Sequence, residues 1–178
     1  VKLLIAGHFA VGKTTFVGTL SEIRPLRTEE RMTQAGAYVD DLAGVPAKTT
    51  TTVAMDFGRL TLSDELVLYL FGAPGQHRFT PLWHDLAQGA LGALVLADTR
   101  RLAQSFDVMT LLEERDLPYA VAINRFDDAP DFPEAELREA LDLLPDTPLI
   151  TCDARDPDSS AQALIALVEY LIRRRKNA

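Results

Sequence analysis

Gly7-His8-Phe9-Ala10-Val11-Gly12-Lys13-Thr14 reads G-x-x-x-x-G-K-T, and the rest of the chain is arranged around it. Lys2-Leu3-Leu4-Ile5-Ala6 before it is an apolar run of strand length, and Thr15-Phe16-Val17-Gly18-Thr19-Leu20 after it has a helical pattern. Strand, loop and helix in that order are the context in which this spacing cradles phosphate. The glycines let the backbone curl so that successive N–H groups face an anion, and the helix N-terminus adds partial positive charge. Lys13 then reaches the outer phosphates, and the Thr14 hydroxyl, with Thr15 beside it, supplies a hard oxygen suited to Mg²⁺. The stretch implies a site for a nucleoside di- or triphosphate.

Composition narrows the classes. With 178 residues, 47% of them hydrophobic and 25% charged, the chain fits one ordinary globular domain over residues 1–178. A net charge of −8 argues against nucleic acid as a partner. One cysteine, Cys152, excludes a disulfide framework and suits a reducing cytoplasm. No apolar run approaches the length of a bilayer span, and no signal peptide opens the sequence. The first strand begins almost at Val1, which leaves room for a short leader upstream.

Apolar strand-length runs recur between helix-like segments, the rhythm of an open α/β sheet. The expected strands are 2–6, 52–62, 66–71, 90–97, 119–123 and 149–152. The expected helices span 13–23, 82–88, 102–115, 135–144 and 159–175. Ser63-Asp64-Glu65 joins two strands as a hairpin, so a mostly parallel six-stranded sheet should carry one antiparallel edge strand, with helices on both faces. Residues 26–48 show scattered charge and no sustained period and read as a long functional loop.

A phosphate loop does not choose a base. Asn124-Arg125-Phe126-Asp127 closes a buried strand, and there a carboxylate accepts both the N1–H and the 2-amino hydrogen of guanine, donors that adenine lacks in that arrangement. Asn124 can hold the loop and reach the other edge of the base. An Asx turn leading into Asp128-Ala129-Pro130 is the competing use of the same residues.

Taken with Thr49 to Gly58, Phe71-Gly72-Ala73-Pro74-Gly75-Gln76-His77-Arg78-Phe79 and Cys152-Asp153-Ala154-Arg155, these motifs resemble a Ras-like small GTPase of the bacterial type. The pattern is most like the actinobacterial conservon GTPases, related to the bacterial polarity GTPases, and it covers essentially the whole chain. The resemblance implies a P-loop NTPase fold, GTP and GDP as ligands with Mg²⁺, and a switch that hydrolyses GTP slowly. By it, residues 26–52 are switch I and 72–83 switch II, with Thr52 joining Thr14 on the metal and Thr51 as the second choice of register. Gly75 matches the glycine whose N–H meets the γ-phosphate. Gln76 matches the glutamine that orients the attacking water, a role carried over from Ras; Lys13 is its catalytic companion. Ala154 matches the residue whose N–H meets guanine O6, flanked by Asp153 and Arg155. A roadblock-type regulator and sensor-kinase-like proteins are the implied partners, in the cytoplasm or recruited to a membrane.

Three positions depart from the family pattern. Gly72 stands where D-x-x-G has its Asp, leaving Asp56 on the neighbouring strand as a substitute or as a plain strand-end charge. Phe9 and Ala10 occupy loop positions often held by glycine, and a ring at Phe9 should crowd Gln76. Arg125 replaces a lysine over the base, where a planar guanidinium stacks instead. These departures favour a rival reading, a nucleotide-binding scaffold without turnover; an ATPase is a third. His8, His77 and His84 lack metal-ligand spacing within one helix. Trp83 reads as a core or interface anchor. Arg173-Arg174-Arg175-Lys176 suits anionic lipid, or more commonly the dipole of a helix C-terminus.

Overall fold

The computed structural model describes residues 1–33, 50–75 and 80–177. Its described elements are β1 (Lys2–Ala6), α1 (Lys13–Leu20), β2 (Leu26–Thr33), β3 (Thr50–Ser63), β4 (Leu66–Gly72), α2 (Thr80–Ala87), β5 (Ala90–Ala97), α3 (Ser105–Glu113), β6 (Tyr119–Asn124), α4 (Glu134–Ala140), β7 (Leu149–Cys152) and α5 (Pro157–Asn177), with a 3₁₀ turn at Thr99–Gln104.

Alternation along the strands explains the layering. On β1, Leu4 and Ala6 join one apolar cluster while Leu3 and Ile5 join the other. β5 divides likewise, Ala93, Val95 and Ala97 from Leu94 and Leu96. The first cluster is covered by Trp83 and Leu86 of α2, Val108 and Leu112 of α3, and Leu137 of α4. The second is covered by Phe16 and Val17 of α1 and by Leu164 and Leu167 of α5. A strand packed on both faces reads as a continuous apolar run, which is why β1 and β5 stand out in the sequence.

The sheet order is β2-β3-β4-β1-β5-β6-β7, with β4, β1, β5, β6 and β7 parallel and β3 antiparallel to both of its neighbours. The α/β class and the antiparallel strand are as expected, but the strand count is seven rather than six. Leu26–Thr33, expected as loop, pairs with β3 from Leu26↔Phe57 to Thr33↔Thr50 and takes the edge that had been expected for β3. Its Leu-Arg-Thr-Glu-Glu-Arg-Met-Thr sequence hides a strand because an edge strand tolerates, and benefits from, dense charge. The remainder of the expected switch I loop, residues 34–49, lies outside the described residues.

Two glycines fix how close the layers come. A Cβ on Gly58 of β3 would stand 2.8 Å from Val17 Cγ1 and 3.1 Å from Ser21 Cβ, so α1 rests directly on the strand backbone. On Gly92 of β5 it would stand 2.7 Å from Leu171 Cδ2 of α5. At the far end of the sheet, Asp156 accepts the Ser159 N–H at 2.9 Å, so α5 begins with an Asp cap and Pro157, two residues before its expected start.

Candidate functional site

The phosphate loop leaves the C-terminal end of β1, between β4 and β5, where open α/β sheets place their ligands. Gly7 at φ 141° and Gly12 at φ 108° take conformations that L side chains avoid, and Ala10 at φ 64° is the one non-glycine in the loop to do so. At Gly12 a Cβ would also lie 2.5 Å from Asn124 Nδ2. The Lys13 ammonium folds back over the loop and donates to the Gly7 and His8 carbonyls at 2.9 and 2.7 Å. Burial pushes its pKa down to about 8, against the opposing pull of Asp56.

Asp56 decides the question raised by Gly72. It is buried, and its Oδ2 accepts the Thr14 hydroxyl proton. Asp56 and Gly72 face each other across the β3–β4 ladder, and a Cβ at Gly72 would lie 3.1 Å from Asp56 Cβ and 3.4 Å from its Oδ2. The glycine leaves the space that the carboxylate from the next strand occupies. A hydroxyl and a carboxylate side by side at a phosphate loop are a hard-oxygen donor set that fits Mg²⁺. Thr52, expected to join Thr14 on the metal, pairs with Arg31 along β3, four residues before Asp56. At a strand rise of about 3.3 Å per residue that is roughly 13 Å away.

The expected switch II segment meets the loop at Gly75. A Cβ there would lie 2.6 Å from His8 C and from Phe9 N, so only glycine permits this approach of backbone to backbone. Gln76, His77, Arg78 and Phe79 lie outside the described residues. Phe9 is 66% exposed and, with His8, Pro74, Trp83 and Val108, lines a cavity of about 230 Å³. Trp83 is a core anchor whose Nε1–H donates to the Pro74 carbonyl at 3.2 Å. His8 donates from Nδ1 to the Phe9 carbonyl at 2.7 Å, which leaves Nε2 buried without a partner; burial lowers its pKa.

A second cavity, of about 260 Å³, adjoins the helix end of the phosphate loop. Gly12 and Thr15 line it with Asn124, Arg125, Asp127, Asp153, Ala154 and Arg155. Asn124 is the peg between the parts. Its Nδ2 donates to the Val11 carbonyl and its Oδ1 accepts the Ala154 N–H, both at 2.9 Å and buried. The Ala154 N–H assigned to guanine O6 donates to Asn124, whose amide thus ties the two loops together. Asp127 is 90% exposed and receives Arg155 Nη2 at 3.4 Å. Arg155 also chelates Asp153 through Nε at 2.9 Å and Nη2 at 2.8 Å, and those hydrogen bonds hold the Asp153 carboxyl at about 2.

Asp98 and Arg100 escaped the sequence reading. Asp98 directly follows β5, is 1% exposed and caps the 3₁₀ turn by accepting the Arg100 N–H. An acidic residue directly after a wholly apolar strand was the signal available.

A family described as a conserved hypothetical ATP binding protein matches residues 5–174. The chain belongs to that family. It is 31% identical over 129 residues to an uncharacterized protein of Methanocaldococcus jannaschii, MJ1339, covering 71% of each. In fold it is similar to the cytosolic domain of the Thermotoga maritima FeoB iron transporter in its GMPPNP form, with TM-score 0.67 and 19% identity over 96% of this chain. This chain spans 64% of that one's length. The Arl6 small GTPase of Trypanosoma brucei, with a bound nucleotide analogue, gives TM-score 0.65 and 15% identity, covering 97% of this chain and 98% of its own. The fold is that of a P-loop GTPase. No helix among the described residues is long and apolar enough to cross a membrane.

Proposed function

We propose that residues 1–178 form one G domain that binds GTP and GDP with Mg²⁺ and acts as a switch with slow hydrolysis. The observation that carries this reading is the Asn124 peg. By joining Val11 to Ala154 it sets the cavity bounded by Asp127 immediately beside the phosphate loop. A nucleotide whose phosphates lie on the loop then has its base in that cavity. There the Asp127 carboxylate accepts from N1–H and the 2-amino group, and the exposed Arg125 and Arg155 offer guanidinium faces for stacking.

Thr14 would hold Mg²⁺, with Asp56 accepting from the Thr14 hydroxyl and lending its negative charge to the site. The metal, when bound, neutralises charge on the β- and γ-phosphates. Lys13 serves the same end from its place over the loop. Gln76 is assigned by resemblance to orient the water. The exposed Phe9 ring lines one cavity with Gly75, the residue before Gln76, which supports slow intrinsic turnover, because phosphoryl transfer depends on placement. Partners that read the two states, a roadblock-type regulator and sensor-kinase-like proteins, belong to the same reading, as do a cytoplasmic setting and recruitment to a membrane.

Two rivals have specific support. The family description speaks of ATP. The Phe9 ring favours a scaffold that binds nucleotide without turnover. Chromatography of the nucleotide released from purified protein should give GDP or GTP, and recovery of adenine nucleotides would overturn the guanine reading. In single-turnover assays, Gln76→Leu should abolish partner-stimulated hydrolysis while leaving GTP affinity nearly intact. Fast hydrolysis by the isolated protein, insensitive to that substitution, would refute the assignment.

A further inference from the structure

Asp127 is an exposed carboxylate on a stretch with neither helix nor strand, yet reading two donors on one base edge requires it to be held in place. What holds the stretch comes from the next connection along the sheet. Arg100 extends from the 3₁₀ turn after β5 and uses three faces of its guanidinium. Toward the core, Nε and Nη2 reach Asp98 Oδ1 and Oδ2 at 3.0 and 2.8 Å, a forked pairing with a carboxylate that is 1% exposed. Toward the loop, Nη1 meets Asp128 Oδ1 at 2.5 Å. The guanidinium carbon stands 4.2 Å from the centroid of the Phe126 ring. One side chain thus touches the residues on both sides of Asp127. Thr99, its neighbour, donates from Oγ1 to the Pro130 carbonyl at 2.7 Å and ties down the far end of the same stretch.

We propose that Arg100 is a positioning residue for base recognition, clamping Phe126 and Asp128 to the end of β5 so that Asp127 meets the guanine edge. The inference rests on the guanine reading above. Arginine suits the task because its donors are fixed in a plane, so gripping Asp98 also orients the group toward Asp128 and presents its flat face to Phe126. A lysine has one point charge and no plane. Asp98 is an anchor and not a second reader: burial alone would raise its carboxyl, but the Arg100 hydrogen bonds bring it below its ordinary value and keep it charged.

Competition of GTP and of ITP against a fluorescent GDP tests the inference, since inosine lacks the 2-amino group that Asp127 accepts. The parent should prefer GTP by roughly tenfold or more, the range of one hydrogen bond to a charged group. Arg100→Ala should weaken GTP more than ITP and bring the ratio toward one, and Arg100→Lys should narrow it nearly as far. A general loss of stability would weaken both nucleotides alike and leave the ratio. Asp128→Ala removes only the exposed arm of the clamp and should narrow the ratio in the same direction, which keeps the test open should Arg100→Ala fold poorly. A parental ratio in folded Arg100→Lys and Asp128→Ala proteins would overturn the role of Arg100 alone. A parent that binds ITP as well as GTP would overturn the guanine reading itself, and this inference with it.

Discussion

At the scale of single residues, the exchange between Asp56 and Gly72 is a relocation of charge across a β-ladder. The carboxylate arrives at Thr14 from β3 instead of β4, and the position it would usually take is kept bare so that it fits. Asp56→Ala should therefore raise the Mg²⁺ concentration needed to slow release of a fluorescent GDP by roughly tenfold or more. Gly72→Asp alone should not improve retention, because its Cβ would press on Asp56 at 3.1 Å and bring a second negative charge beside the first. Joining Asp56→Gly to Gly72→Asp should recover part of the loss. Retention indifferent to Asp56→Ala would make this carboxylate a packing group. A second residue-scale expectation concerns acid. Arg155 holds the Asp153 carboxyl at about 2, below the roughly 3.9 of an unfolded chain. Asp153 therefore contributes stability that is present above about pH 4 and lost as pH falls through about 2. Asp153→Asn should flatten the acid limb of a thermal-melt profile, and an unchanged limb would assign the acid sensitivity elsewhere.

At the scale of elements, the peg at Asn124 joins three separated pieces of chain, β6, the phosphate loop and the turn after β7. Asn124→Ala would leave the Val11 carbonyl and the Ala154 N–H buried without partners, at a cost of about 1–3 kcal/mol each. Urea unfolding should show a lower midpoint, and nucleotide affinity should fall with it. A midpoint within error of the parent would mean that water replaces the amide at no cost. Much of this level was legible in the sequence. The glycines and Lys13 announced a phosphate loop, and β1, β5 and β6 announced themselves as apolar runs, because strands covered on both faces leave no choice of residue. β2 did not, since an edge strand is held by backbone hydrogen bonds and its sequence stays polar. The part played by Asn124 was half visible: the loop contact was foreseen, while its hold on the Ala154 N–H depends on a distance that spacing cannot supply. Arg100 was invisible for the same reason, its partners lying 2 and 28 residues away in sequence.

At the scale of the molecule, helices cover both faces of the central strands, and Cys152 reports on that cover. It sits 1% exposed at the end of β7, its backbone carbonyl accepting the Arg125 N–H at 2.8 Å, and burial pushes its thiol up to about 12. A thiol so held is neither ionised nor reachable near neutral pH. Ellman's reagent should label it at the rate of opening of the whole domain, more slowly with guanine nucleotide bound; rapid labelling of the native protein would show that the β7 end opens on its own. Gly58 has a wider consequence. With Val17 Cγ1 only 2.8 Å from where its side chain would begin, α1 and β3 mesh like a key and its ward, one missing methyl group setting the notch. Sliding β3 by two residues along the helix would bring Asp56 or Leu60 into a gap that admits only hydrogen. The notch therefore opposes lengthwise sliding of the strand against the helix that carries Thr14, and it fixes the spacing from Thr14 to Asp56 in this structure.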